Sequence, residues 1–140
     1  MRITLVQHGR LRDAAIIALR DEFAKRFQRF GALTIIEREP RGDAPLWPDA
    51  ARWRVALDER GEDLSTEAFA KRLAQWTTAH GAIAFLVGAA DGLHPPSRAT
   101  AQATMRLSAM TLPHQFAHLL LVEQLYRAAS LLAGHPYHRA

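Results

Sequence analysis

Apolar positions in this chain recur with two periods that take turns. Residues 2–8, "RITLVQH", alternate as a strand does. From Asp13 to Phe30 the period lengthens, and Ile16, Leu19, Phe23, Phe27 and Phe30 fall on one helical stripe. Asp21–Lys25 and Glu22–Arg26 lie four apart, in the favourable order, on the opposite side. A second strand covers Leu33 to Glu39. Residues 40–50, "PRGDAPLWPDA", carry three prolines and read as an ordered surface loop pinned by Trp47. A third strand, "RWRVAL", ends in the polar run "DERGEDLS". Ser65 is a suitable N-cap for a helix reaching His80, with Glu67 in its first turn and Gly81 beyond its end. Phe69, Leu73 and Trp76 form its apolar face.

The alternation continues with strand "AIAFLV", loop "GAADGLHPP", a short helix over Ser97–Ala103 and strand "MRLSAM". A long helix then runs from Pro113, whose fixed φ suits a helix start, to Ala133. Strands alternating with helices predict a single α/β domain over 1–140 with a mostly parallel sheet flanked by helices. Ligands of such sheets sit beyond the carboxyl ends of the strands. Three junctions therefore stand out: "LDERG", "VGAADG" and "MTLPH". The last helix is apolar on nearly all sides, so it needs cover on two sides, and a C2 homodimer is expected. Glu123 and Arg127 are four apart, and a mutual ion pair is as good a reading as a functional role.

Composition narrows the class. Apolar residues are 49% of the 140 and charged residues 23%, an ordinary globular balance. No apolar run approaches the 18 residues of a membrane span, and "MRITLVQHGR" lacks a signal-peptide pattern. With no cysteine, the expectation is a cytoplasmic protein without disulfide or thiol chemistry. The net charge of +4 points to a polyanionic partner, and 16 of the 18 basic residues are arginine, the better phosphate fork. The bland alternative is a codon bias toward arginine. Residues 73–140 hold only four basic and two acidic residues but six of the seven histidines, so chemistry is expected there.

Gly88 stands at the tip of an apolar strand with Gly92 four residues on, but neither a dinucleotide fingerprint nor a phosphate loop is present. By itself this is a tight turn. His114 and His118 have the spacing of a zinc-binding helix, yet Gln115 occupies the position of the base. A zinc site from His114, His118, His135 and His138 is an alternative, and no metal is expected. The helix stops at Gly134, and Pro136 keeps it stopped, so "HPYHRA" is read as a defined turn.

The stretch "LSAMTLPHQFAHLLLVEQLYRAASLLAGHPYHR", with "FLVGAADGL" and "ALDERG" upstream, closely resembles the RlmH family. These are the pseudouridine N3-methyltransferases of the ribosomal large subunit, within the SPOUT superfamily. The resemblance is strongest over 105–139, good over 52–104 and loose before that. It implies an α/β fold with a C-terminal trefoil knot, a homodimer, and S-adenosylmethionine (SAM) bound in the knot. By position, Leu57, Gly88, Leu107, Ser108, Ala109, Met110, Thr111 and Leu112 would line the SAM pocket. Tyr137, Arg139, His118 and Arg127 would meet the 23S rRNA of an assembled ribosome. N3 of pseudouridine must lose a proton to attack the methyl group, so His138 or His114 is the expected base.

Three departures from the family stand out. Ala89 replaces a second glycine, His118 stands where an arginine is usual, and the 40–50 loop replaces a longer region. They keep open a homologue that binds ribosomes without catalysis.

Overall fold

Parity along the strands decides which face each side chain covers. A computed structural model describes residues 1–139; Ala140, the last residue of "HPYHRA", lies outside the described residues. Five strands form one parallel sheet: β1 (Arg2–His8), β2 (Ala32–Arg38), β3 (Trp53–Asp63), β4 (Ala82–Val87) and β5 (Ala103–Arg106). Their order is β2-β1-β4-β3-β5. Ile3, Leu5, Val55, Ile83 and Phe85 point to one face. There they pack on α1 (Ala14–Phe27), α2 (Thr66–His80) and α4 (His114–Leu132). Val6, Ala56, Ala84 and Leu86 point to the other face.

That second face has no long helix. Leu46 and Trp47 of the proline-rich loop cover it, beside the short helix α3 (Pro95–Ala99). The Leu46 N–H donates to Ser97 Oγ at 2.8 Å and Trp47 Nε1 donates to the Ser97 carbonyl at 3.0 Å. Trp47 therefore does pin the loop, and α3 is what it is pinned to.

The helix starts follow their caps. Asp13 accepts the N–H groups of Ala15 and Ile16, and Ser65 Oγ accepts that of Ala68. Gly81, at φ +82, ends α2. Four boundaries differ from the sequence pattern. First, α1 stops at Phe27, and a tight turn carries Phe30 onto Tyr126. Second, α3 starts at Pro95 rather than Ser97, because prolines in a first turn lose no hydrogen bond. Third, β3 runs on through "DERGED". Past a register shift between Leu57 and Glu62 it pairs with β5 alone. Gly61 permits this closure, since a Cβ there would lie 2.6 Å from the Met105 nitrogen. Fourth, β5 ends at Arg106, which leaves "LSAM" as a loop rather than strand.

Candidate functional site

At the carboxyl ends of β3, β4 and β5 the three junctions meet around a cavity of about 360 Å³. That is within the usual span for small-molecule sites. Leu57 comes from β3, Val87 and Gly88 from β4 and its turn, and Leu107 from the loop after β5. His114 and Ala117 of the first α4 turn close one side. Gly88 is required by space: a Cβ there would lie 2.8 Å from the Gly92 carbonyl oxygen. The turn is closed by Ala89 and Gly92, each N–H donating to the other's carbonyl.

The walls are mixed in character. Leu57, Val87, Leu93, Leu107 and Leu112 offer flat apolar surface, while Asp58, Arg60, Arg98 and Arg106 bring both signs of charge. The Asp58 side chain is mostly buried, accepts the Arg60 N–H at 3.1 Å and faces Arg98 Nε at 3.1 Å. Such a lining suits a ligand with a planar base, a carboxylate and cationic groups.

Of the pocket residues expected from sequence, Leu57, Gly88, Leu107, Ser108, Met110 and Leu112 line the cavity. Ala109 and Thr111 belong to the same loop but not to the lining, and both face solvent. Asp58, Glu59, Arg60, Arg98 and Arg106 were missed as individual residues. The "LDERG" junction was a sufficient signal for the first three; nothing local marks Arg98 or Arg106.

The two candidate bases are far apart within one chain. His114 lines the cavity. His138 sits against Arg127, thirteen residues further along α4, or about 20 Å at helical rise. Its Nε2 meets Glu67 Oε1 at 3.0 Å and its Nδ1 meets Arg127 Nη1 at 3.2 Å. The Glu67 carboxyl is held below its ordinary pKa by backbone hydrogen bonding and by His138. The Tyr137 hydroxyl donates to Glu123 Oε1 at 3.0 Å, and the Arg127 guanidinium lies 4.8 Å from the Tyr137 ring. Burial, then Glu123, raises the Tyr137 phenol above its ordinary value. Arg127 also pairs with Glu123 at 2.7 Å, so the ion pair and the tail contact coexist. Arg139 is exposed.

His118 does not fit the substrate role expected of it. Its side chain is fully buried between β1 and α1, with no surface to present to RNA. Burial, then Arg20, pushes its pKa down to about 3, so the ring is neutral. The histidines of the zinc alternative are not brought together as one ligand set. Among the described residues no three His, Cys, Asp or Glu side chains gather as a metal site. No helix among them is long and apolar enough to cross a membrane.

A parallel α/β sheet with a small-molecule cavity beyond its strand ends, bordered by the loop that leads into the last helix, defines the class of open α/β proteins that bind ligands at that edge. The particular family follows from comparison. A family model described as "Predicted SPOUT methyltransferase" matches residues 1–138, and the chain belongs to that family, whose members take their methyl group from SAM. A "Ribosomal RNA large subunit methyltransferase H" from Polynucleobacter necessarius is 58% identical over 85 residues. That match covers 61% of this chain and 63% of the relative. The protein of the same name from Polynucleobacter asymbioticus is 42% identical over 147 residues, covering 99% of each chain. Among solved structures, a Haemophilus influenzae Rd KW20 protein described as a "probable methylase family protein" aligns with a TM-score of 0.63 at 13% identity. It covers 99% of this chain and 70% of that one, a likeness of fold.

Proposed function

We propose that this protein is a cytoplasmic homodimeric SAM-dependent methyltransferase that methylates N3 of a pseudouridine in 23S rRNA on assembled ribosomes. The observation that carries the reading is the convergence of Gly88, Leu107 and His114 on one cavity, in a chain matched along its length by large-subunit rRNA methyltransferases. SAM, when bound, supplies a methyl group on a sulfonium, an electrophile that needs no metal.

The chain's own residues do the rest. Leu57, Gly88 and the 107–112 loop hold the donor and exclude water. The mixed charges of Asp58 and Arg98 suit the ammonium and carboxylate ends of an amino acid. His114 takes the imide proton from N3, because it is the histidine that lines the cavity. Tyr137, His138 and Arg139 act at the partner's cavity, since α4 keeps them about 20 Å from their own. Arg127 holds Tyr137 and His138 for that purpose. The exposed apolar side chains Phe116 and Leu120 on α4 supply surface for the partner copy. The trefoil knot is part of the proposal, supported by the loop from β5 that passes the ends of β3 and β4 before α4 begins.

The test uses methyl-labelled SAM with ribosomes lacking the modification, and naked rRNA in parallel. Label at one pseudouridine, on ribosomes only, is the expected result. SAM binding without any transfer would instead establish a non-catalytic ribosome-binding homologue.

A further inference from the structure

The side chains of Gln7, His118 and the half-buried Arg20 form a relay, and we infer that it positions the Gly88 carbonyl and with it the wall of the donor cavity. The inference rests on the cavity's assignment to SAM. Gln7 and His118 are fully buried, and neither belongs to the cavity lining.

Hydrogen-bond bookkeeping leaves one arrangement. The Gln7 amide end at Nε2 faces three carbonyl oxygens, those of His8 at 2.9 Å, Gly88 at 3.2 Å and Val87 at 3.4 Å. A group facing only carbonyl oxygens must be the NH₂, whose two N–H groups serve the nearer pair, His8 and Gly88, so Oε1 is at the other end. Oε1 lies 2.9 Å from His118 Nδ1, which must therefore carry the proton. The Nε2 lone pair then accepts from Arg20 Nη1 at 3.2 Å. Each donor points one way along the chain, from Arg20 through His118 and Gln7 to Gly88.

A protonated imidazole would set an N–H against the Arg20 cation, so the neutral ring is built in. Arg20 is itself oriented by Asp21, 2.7 Å from its Nε. The groups facing His118 are thus Gln7 on β1, Arg20 and Asp21 on α1, and His114 one turn away on its own helix. The relay also accounts for His118 at a family arginine position: the cation is supplied from α1 by Arg20, and the imidazole transmits its orientation. The product is a fixed direction for the Gly88 carbonyl, in the one turn where a Cβ has no room. Gln7, His118 and Arg20 are positioning residues, since none touches the cavity.

The experiment measures SAM affinity by calorimetry, and ring nitrogen shifts by NMR, in the full chain. Gln7→Met keeps the volume but leaves the Gly88 carbonyl without its donor. A roughly 5- to 10-fold weaker SAM affinity is expected, on the scale of one buried hydrogen bond. A control, Phe27→Leu, lowers Tm by a core defect away from the cavity and leaves SAM affinity unchanged. His118→Asn retains a donor for Gln7 and is expected to lie closer to wild type than His118→Leu. NMR is expected to show the Nδ1–H tautomer of His118, neutral at pH 5. Wild-type affinity in Gln7→Met, an Nε2–H tautomer, or an equal loss in the Phe27 control would overturn the relay. Absence of SAM binding in the wild type would overturn the cavity's assignment, while the tautomer and the Gly88 carbonyl carbon shift still report on the relay.

Discussion

The two ends of α4 carry similar residue types and behave oppositely. At its start, His114 faces a cavity and His118 is buried in a relay that joins Arg20 to Gln7. At its end, Arg127, Glu123, Tyr137 and His138 form a half-buried cluster open to solvent on one side. The relay at the first end lies within one chain, between α1, β1 and the turn after β4. The second is covered by Phe23 of α1, by Glu67 of α2 and by the chain's own tail. A walled cavity can hold a small donor, and a cluster open to solvent is suited to a large partner.

The comparison is most easily broken at Gly88. Gly88→Val should abolish SAM binding, by 100-fold or more in Kd, because the added Cβ meets the Gly92 carbonyl. Titration of a folded variant checks it, and tight binding would remove the cavity from consideration. Next in size, His114→Ala should lower kcat by roughly 10²- to 10⁴-fold, the usual worth of a general base, with SAM affinity within a few-fold of wild type.

The third prediction concerns the tail. Tyr137→Ala with His138→Ala should lower transfer by about an order of magnitude and spare SAM affinity. Mixing these subunits with His114→Ala subunits should restore part of the activity, since a mixed dimer has one intact site. No recovery after subunit exchange would place the tail's action in its own chain.

The last effect is on stability against pH rather than on activity. The His118 pKa of about 3 lies below the ordinary histidine value near 6.5. Its folded form therefore binds fewer protons than the unfolded chain over that window. The contribution to stability is present above about pH 6.5 and is lost as pH falls toward 3, at up to about 1.4 kcal/mol per unit. Denaturant melts of His118→Leu from pH 7 to pH 4 should show that slope reduced relative to wild type. An unchanged slope would mean that another group titrates.

Most of the fold is legible along the chain, since each strand and helix depends on local period and caps. Asp13, Ser65 and Gly81 mark ends that the structure keeps. Two of the misjudged boundaries are ones that a neighbouring strand decides. β3 continues through charged residues because β5 pairs with it and Gly61 lets the backbones meet. "LSAM" reads as strand but has no strand beside it once β5 ends at Arg106. The cavity residues were legible as junctions because strand ends in a parallel sheet collect on one edge.

His118 was misread for a different reason. Its substrate role was implied by the family resemblance, and a resemblance of position does not register that α1 lies over the ring. A signal was present in β1: Ile3 and Leu5 point inward, and Gln7 shares their parity. A polar residue at an inward position of a central strand needs a buried partner. Which partner it finds depends on residues 98 and 111 positions apart in the chain.

By itself, the amino-acid order determined the elements, the glycine at the tip of β4, and a C-terminal segment rich in titratable groups. Periodicity and caps act over a few residues, so they survive in a linear reading. The tertiary structure alone decided that His114 faces the cavity, that His118 does not, and that the tail stands a helix length from its own cavity. Those outcomes depend on which surfaces are buried together, and burial is a property of the packed chain.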